Sequence, residues 1–371
     1  MKILIVSASF YPKITPRSFR TTELVKEFVR KGHQVTLCIP DNGFDYSDFC
    51  NKFPLDIVFS PALEDNKTKS ARSPFHSLFG RLANRFLALF FEYPNIKLLK
   101  SLPDILNNLG HFDLLISVAV PHINHWSVNR AIRRNPGLAD VWIADCGDPY
   151  MLCQTDSFKK PFYFKWVEKS WSKRVDYITI PVESAKDGYY PDFHHKIRII
   201  PQGFDFDSVG IVDSYVPNEI LTFGFAGSFI PGLRDPRPIV RFILSKNIPF
   251  RFVVYTKQRH LFEEFFPQYA SSIILKDFAP RDILLAELSK MDFLLNIENG
   301  TNIQVPSKLI DYSLTGRPIL SLNSNDINQI VLDQFLNRDY ISAYIVDSIE
   351  EYDIKLVAGK FIKLYEECTR K

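Results

Sequence analysis

Short uninterrupted apolar runs recur along this chain, separated by amphipathic stretches of helical period. Residues 2–7 form the first run, and an apolar stripe at helical spacing lies between residues 24 and 29. Gly32 marks the end of that helix, and residues 34–39 form the next run. Uninterrupted apolar strands are typical of parallel sheets covered on both faces. This strand–helix–strand unit therefore predicts a right-handed parallel crossover.

The same alternation continues and predicts an α/β fold with two parallel sheets. Further strands are expected at residues 113–118, 141–145, 177–181, 221–226, 250–255, 272–275 and 293–297. Further helices are expected at residues 237–245, 281–290, 306–314 and 350–371. Residues 211–218 have the composition of a linker, which indicates two domains.

Composition narrows the class of protein. With 371 residues, 46% hydrophobic and 23% charged, the chain can build two full cores. A net charge of +3 does not predict binding to nucleic acid. The five cysteines show no disulfide-rich or zinc-like spacing, so we expect a reducing, cytoplasmic location. The N-terminal apolar run is too short for a signal peptide, and no run approaches the ~18 residues of a spanning helix.

The most informative stretch is LLNIENGTNIQVPSKLIDYSLTGRPIL, which reads as strand, turn, helix and strand. Pro306 suits the first turn of the helix, and Gly316 suits the position after its last turn. Helix starts offer free N–H groups and the positive end of a dipole, which attract phosphate. Lys308 adds a cation, and Asp311 lies on the same helix face. The alternative is that Lys308 and Asp311 form a surface ion pair.

The segment PSKLIDYSLTGRPIL resembles the donor-site signature of GT-B glycosyltransferases, in the retaining group called family four. The segments KGHQVTL and FAGSFIPGLRDPRP resemble further elements of that family. The resemblance implies that Asp311 stands for the second of two glutamates, whereas Ile303 replaces the first. Ser228 stands where many members have arginine, so we assign that charge to Arg234. The expected donor-binding residues are Gly227, Ser228, Arg234, Asn302, Gln304, Pro306, Ser307, Lys308 and Asp311.

Two loops of the first half follow predicted strands, at the sheet edge where α/β proteins bind ligands. They contain His122 and Asp148, and they are similar to Pro-Pro-His and Asp-x-Arg-Asp-Pro-Trp elements of the family. Here Gly147 replaces the arginine. The resemblance implies that His122 and Asp148 are the catalytic residues and that they hold the sugar and the acceptor. A lone loop histidine is otherwise more often structural.

Two other basic regions of the sequence each allow two interpretations. In the first loop, Arg17 and Arg20 are expected to bind an acceptor phosphate, unless they are solvated surface residues. Residues 73–91 place phenylalanine and leucine at helical spacing beside arginines. This pattern fits a core helix, but also a helix that lies on an anionic membrane surface. We favour the membrane interpretation because Phe90 and Phe91 break the single stripe.

The resemblance implies two Rossmann-like domains facing across a cleft, with a C-terminal helix that crosses back to the first domain. The expected boundaries are 1–210 for the acceptor side, 211–349 for the nucleotide-sugar side and 350–371 for the helix. The implied function is sugar transfer from a nucleotide-sugar to a lipid-linked or growing glycan acceptor, with retention and without metal or cofactor, in surface-polysaccharide synthesis. Attachment to the inner face of the cell membrane is expected. The alternatives are a sugar-nucleotide epimerase or hydrolase, and a non-catalytic nucleotide-sugar-binding or regulatory partner of another transferase.

Overall fold

A computed structural model describes residues 1–62, 74–152, 159–207, 215–277, 279–298 and 307–370, without the side chains of residues 74–82 and 307. The chain divides into two compact units. One consists of Met1–Phe204 together with Ile354–Lys371, and the other is Asp205–Asp353. These bounds differ by a few residues from the expected 1–210, 211–349 and 350–371.

The first unit is built on a sheet of seven parallel strands in the order β3-β2-β1-β4-β5-β6-β7. The strands are β1 (Lys2–Val6), β2 (Gln34–Pro40), β3 (Asp56–Ser60), β4 (Phe112–Ala119), β5 (Ala139–Cys146), β6 (Tyr177–Ile180) and β7 (Ile197–Ile199). Buried apolar side chains cover both faces of the central strands, as the uninterrupted apolar runs predict.

Seven helices of the described part of the chain belong to this unit. They are α1 (Pro16–Arg30), α2 (Ser47–Lys52), α3 (Pro74–Phe91), α4 (Leu98–Asn107), α5 (Ile123–Arg134), α6 (Phe164–Arg174) and, from the C-terminal segment, α11 (Ile354–Thr369). α11 packs on α1, where Phe28 and Phe361 are in ring contact. Within the described ranges no helix is both long and apolar enough to cross a membrane.

The second unit repeats this construction with five parallel strands in the order β10-β9-β8-β11-β12. The strands are β8 (Leu221–Ala226), β9 (Phe250–Tyr255), β10 (Ile273–Lys276), β11 (Phe293–Ile297) and β12 (Ile319–Leu322). The helices are α7 (Arg237–Ser245), α8 (Arg281–Leu288), α9 (Ser307–Leu314) and α10 (Gln329–Leu336). Phe223, Phe252 and Phe293 stack across β9, β8 and β11 with 4.7 Å between neighbouring ring centroids.

The order of the strands decides where a ligand can bind. In each sheet the chain changes direction of winding between two central strands, β1 and β4 in the first unit and β8 and β11 in the second. The loops after these strands diverge, so a crevice opens at their carboxyl ends. The sequence-predicted site residues of each unit follow strands at this edge.

Candidate functional site

A cavity of about 370 Å³ lies at the carboxyl edge of the second sheet, between the end of β8 and α9. Gly227 and Ser228 line one side, and Lys308 and Asp311 line another. The four residues come from segments about 80 positions apart along the chain. The structure therefore brings together the central part of the predicted donor site.

Lys308 is held at this cavity by the way α9 is attached to the sheet. The hydroxyl of Tyr312, one turn further along α9, accepts a hydrogen bond of 2.8 Å from the main-chain N–H of Ala226 at the end of β8. Gly227 follows with φ of +138°, a conformation that side-chain-bearing residues rarely adopt, and its N–H donates to the Tyr255 carbonyl at 3.0 Å. These contacts fix the first turn of α9 beside the turn after β8.

The Lys308 ammonium is buried and has no hydrogen-bond partner in the described part of the chain. Its nearest described ring contact is the face of Phe225, at 4.9 Å from Nζ to the centroid. Burial and then the nearby Arg234 lower the pKa of Lys308 to about 7. A buried cation without a counter-ion is costly, so this arrangement suits a site that an anion completes.

Arg234 is the second cation of this region. It closes a tight turn in which its N–H donates to the Ile230 carbonyl at 2.7 Å, and Gly232 turns the chain with φ of +79°. Its Nε is buried, without a partner among the residues described, and burial lowers its pKa. Arg234 and Lys308 repel each other, and a diphosphate between them would remove that repulsion.

Asp311 does not pair with Lys308, so the alternative of an ion pair between these two residues is wrong. Its carboxylate instead accepts a hydrogen bond of 2.9 Å from Arg281 Nε, and the ion pair brings Arg281 Nη2 to within 2.7 Å of the same oxygen. Burial raises the pKa of Asp311, and Arg281 opposes that rise. Arg281 was not among the predicted site residues. It opens α8 just after Pro280, where the helix dipole disfavours a cation, and that position was the available signal.

Three predicted donor-binding residues cannot be placed, and a fourth is described only in part. Asn302, Gln304 and Pro306 lie outside the described residues, as does Ile303, the position of the replaced glutamate. Ser307 is described only by its main chain, which begins α9.

His122 lies at the corresponding edge of the first sheet, between β4 and α5. It is 5% exposed, and its ring lies 4.9 Å from that of Tyr150 and 5.7 Å from that of His125. Burial, followed by His125 and Lys160, lowers the pKa of His122 well below its ordinary value. The imidazole is therefore neutral at neutral pH. Its buried Nδ1 has no partner in the ranges that the structure describes.

Asp148 and Arg17 complete this edge. The main chain of Asp148 lies beside the His122 ring, and its side chain is exposed. Arg17, in the first turn of α1, is half-buried, and its guanidinium lies against Gly147 at the end of β5. Three of the predicted first-domain residues are thus close together.

Arg20 does not fit the predicted acceptor site. It is 3% exposed and forms a two-point ion pair with Asp145, at 3.0 Å from Nε and 2.8 Å from Nη2. Its remaining donors reach the carbonyls of Ile200 and Pro201. Since its donors are used inside the fold, Arg20 ties α1 to β5 and is not available to a phosphate.

Neither a family model nor a curated protein matches the sequence. Solved structures do match it, over nearly the whole length of both chains. A glycosyltransferase from Rickettsia africae ESF-5 aligns with a TM-score of 0.63 at 11% identity, covering 100% of this chain and 99% of that one. The lipopolysaccharide outer core galactosyltransferase WaaB in its apo form aligns with a TM-score of 0.52 at 12% identity, covering 100% and 98%.

A third match is a TarM mutant of S. aureus in complex with fondaparinux, alpha-GlcNAc-glycerol and UDP. It aligns with a TM-score of 0.54 at 10% identity, covering 100% of this chain and 96% of that one. The chain has the GT-B fold. The sequence-based prediction of two Rossmann-like units is therefore confirmed. At these identities the likeness establishes the fold, and the site must be argued from its own residues.

Proposed function

We propose that the protein is a glycosyltransferase that takes a sugar from a nucleotide-sugar held by the second unit. The observation that carries this proposal is the pair of unpartnered basic atoms, Lys308 Nζ and Arg234 Nε, at the ligand-binding edge of the β8/β11 crevice. Two cations there can bind the diphosphate and stabilise its charge as the bond to the sugar breaks. In this proposal they take the part that a metal ion plays elsewhere.

Asp311 and Arg281 are proposed to bind the hydroxyl groups of the donor. The carboxylate accepts hydrogen bonds from a diol, while Arg281 orients it and favours its ionised form. Two matched structures are complexes with nucleoside diphosphates, TarM with UDP and a starch synthase with ADP, and they support this choice of ligand. The ADP-bound structure aligns with a TM-score of 0.52 at 11% identity.

The reaction is proposed to proceed with retention. The bond between the anomeric carbon and the diphosphate oxygen breaks, the acceptor hydroxyl oxygen bonds to the same face of that carbon, and its proton passes to the departing phosphate. Neutral His122 and Asp148 would then hold the sugar and the acceptor. We propose a lipid-linked or growing glycan acceptor in surface-polysaccharide synthesis, on the resemblance of the sequence.

Release of nucleoside diphosphate from a panel of nucleotide-sugars, with and without lipid-linked acceptors, tests the proposal. We expect acceptor-dependent release. Arg234→Ala should nearly abolish it, and Arg234→Lys should reduce it because lysine keeps the charge but loses the planar fork that binds two phosphate oxygens. Release without any acceptor would favour the hydrolase alternative. Nucleotide binding without release would favour the non-catalytic one.

Attachment to an anionic membrane surface is also proposed, through the end of α3 and the start of α6. The hydroxyl of Tyr163 donates to the Phe90 carbonyl, so these two segments are neighbours. Phe86 and Phe91 are each 53% exposed, and Phe162 and Trp166 are 72% and 65% exposed. Exposed aromatic side chains beside lysines are typical of surfaces that enter the headgroup region. The side chains of Phe75 and Phe79, also part of the predicted stripe, lie outside the description.

A further inference from the structure

Gly147 leaves a space that the guanidinium of Arg17 fills. A Cβ placed on Gly147 would overlap three atoms of that guanidinium, namely Nη2, Cζ and Nη1. The backbone of Gly147 does not have the positive φ that would itself call for glycine. The glycine is therefore explained by the close approach of Arg17 and not by local backbone strain.

No ion pair or side-chain hydrogen bond of the Arg17 guanidinium is found among the described residues, although Arg17 is close enough to Asp145 to help lower the pKa of that carboxyl group. Asp145 itself is already bonded to Arg20 and to the hydroxyl of Thr179 at 2.7 Å. The other basic side chain near His122 is Lys160, and it is paired with Glu92 at 2.7 Å. Among the described residues, the half-buried guanidinium of Arg17 therefore has N–H groups available for a ligand.

A second unsatisfied group lies at the same edge. His122 Nδ1 is buried and has no hydrogen-bond partner among the described residues. Arg17 is close enough to His122 to contribute to the lowering of its pKa. An arginine fork matches the spacing of two phosphate oxygens. A neutral imidazole has one N–H, and in the tautomer that carries it on Nδ1 this group can donate a hydrogen bond to such an oxygen.

We propose that Arg17 and His122 form a binding site for a phosphate group carried by the acceptor. In this proposal Gly147 positions the arginine, because the absence of a side chain leaves room for the guanidinium. This inference rests on the proposed transferase function and names the acceptor class, a molecule with a phosphate near its reacting hydroxyl. Exposed Asp148, next to Gly147, is then the group that faces that hydroxyl. Arg17 and His122 bind, and Gly147 is a positioning residue.

The test uses the full-length protein and calorimetric titration with farnesyl monophosphate, farnesol and inorganic phosphate. We expect farnesyl monophosphate to bind and farnesol not to bind. Arg17→Ala should weaken binding about ten- to a hundred-fold, the usual effect of losing charge-assisted hydrogen bonds. Tighter binding of farnesyl monophosphate than of inorganic phosphate identifies a lipid phosphate, and equal binding identifies a free phosphate group.

Gly147→Ala is the decisive variant, because it displaces the arginine without removing it. The atoms that must move belong to the end of a flexible side chain, so the thermal midpoint should stay near that of the wild type. Binding should weaken as much as in Arg17→Ala, and the double variant should be no weaker than either single one. Additive losses, or unchanged binding in both single variants, would overturn the inference.

Two controls separate this inference from the proposed function. Arg30→Ala removes an exposed arginine from the last turn of α1, the helix whose first turn contains Arg17, and should leave phosphate binding unchanged. Lys308→Met should weaken nucleoside diphosphate binding but not binding of farnesyl monophosphate. If the wild type binds no nucleoside diphosphate while Arg17 still governs phosphate binding, the donor assignment fails and the phosphate site stands.

Discussion

Lys308 and Arg234 are the residues whose surroundings most directly indicate a ligand in the second unit. A folded protein keeps two basic side chains close together with buried, unpartnered atoms only if something offsets the cost. The core of the second unit does not need them, since its aromatic stack and aliphatic side chains already cover both faces of the sheet. The anionic ligand proposed above would explain both, and it would make protonation of Lys308 part of binding.

We predict that binding of a nucleoside diphosphate takes up a proton at Lys308. In the free protein the pKa of Lys308 is about 7, so the amine is mostly neutral at pH 8. A bound diphosphate favours the charged form and raises that pKa. Affinity should therefore fall as pH rises above about 7, by at most about tenfold per pH unit. Calorimetry at pH 8 in buffers of different protonation enthalpy measures the uptake.

The control is Lys257→Met, which removes a lysine from the wall of the same cavity and should leave the uptake in place. Lys308→Met should abolish it. Equal proton uptake in wild type and Lys308→Met would show that another group titrates and that Lys308 is not at the diphosphate.

Sequence reasoning predicted several residues that the structure places at the second-unit cavity, where local structure determines their position, and it missed contacts that depend on tertiary pairing. Lys308 follows from its place at a helix start, and Gly227 follows from a turn after a strand. The partner of Asp311 could not be predicted, because Arg281 comes from another helix. Arg20 was misassigned for the same reason, since its pairing with Asp145 joins residues far apart in the chain.

At the scale of elements, uninterrupted apolar runs gave the most accurate predictions. The predicted strands at residues 221–226, 250–255 and 293–297 match β8, β9 and β11 at both ends. The edge strand β3 was missed, because only its last residue is buried and its sequence lacks a long apolar run. α4 was also missed, and it contains Pro103, which sequence rules treat as a helix breaker.

α6 carries a buried acid that gives a stability prediction. Glu168 is 1% exposed and lies near the loop after β5. Burial raises its pKa from 4.5 to about 7, although the nearby polar groups of Met151, Tyr190 and Tyr150 oppose the rise. Between pH 4.5 and about 7, the Glu168 carboxyl group is mostly ionised in the unfolded chain and mostly protonated in the folded one. The stability that Glu168 contributes is therefore present below pH 4.5 and is lost as pH rises to about 7.

We expect Glu168→Gln to remove this loss of folding stability with rising pH. The free energy of unfolding of the variant, relative to wild type, should increase between pH 5 and pH 7 by up to about 3 kcal/mol and then level off. Urea melts at several pH values measure it. Glu183→Gln, at an exposed glutamate of the same unit, is the matched control and should follow wild type. A difference between Glu168→Gln and wild type that does not change with pH would mean that Glu168 ionises normally.

At the scale of the molecule, both units place basic groups at the carboxyl ends of their strands, while the first unit also presents aromatic side chains to solvent. Phe162 and Trp166 lie 5.7 Å apart at the start of α6. Trp166 also borders a groove between α5 and α6 that Arg133 lines. Aromatic side chains and cations on one surface favour anionic lipid over an apolar protein partner. On a lipid surface the aromatic rings can enter the interfacial region, and the cations can interact with the headgroups.

We predict that the purified protein floats with vesicles containing phosphatidylglycerol and that flotation falls as salt is added. Each basic residue near such a surface contributes about 1 kcal/mol, which salt screens, and the aromatic side chains add an apolar contribution that salt does not screen. Phe162→Ser with Trp166→Ser should abolish flotation. Both side chains are mostly exposed, so the thermal midpoint of this double variant should be close to that of the wild type.

The matched control lies in the second unit, where Ile341 and Ile345 are 85% and 77% exposed. Changing both to serine removes a comparable pair of exposed apolar side chains from a different surface, and flotation should persist. Loss of flotation in both double variants would indicate general stickiness and not a defined membrane face. If the wild type does not float, the acceptor must reach the first unit from solution, and the exposed aromatic side chains of α6 need another explanation. Flotation that survives loss of Phe162 and Trp166 but disappears in high salt would assign attachment to the basic side chains alone.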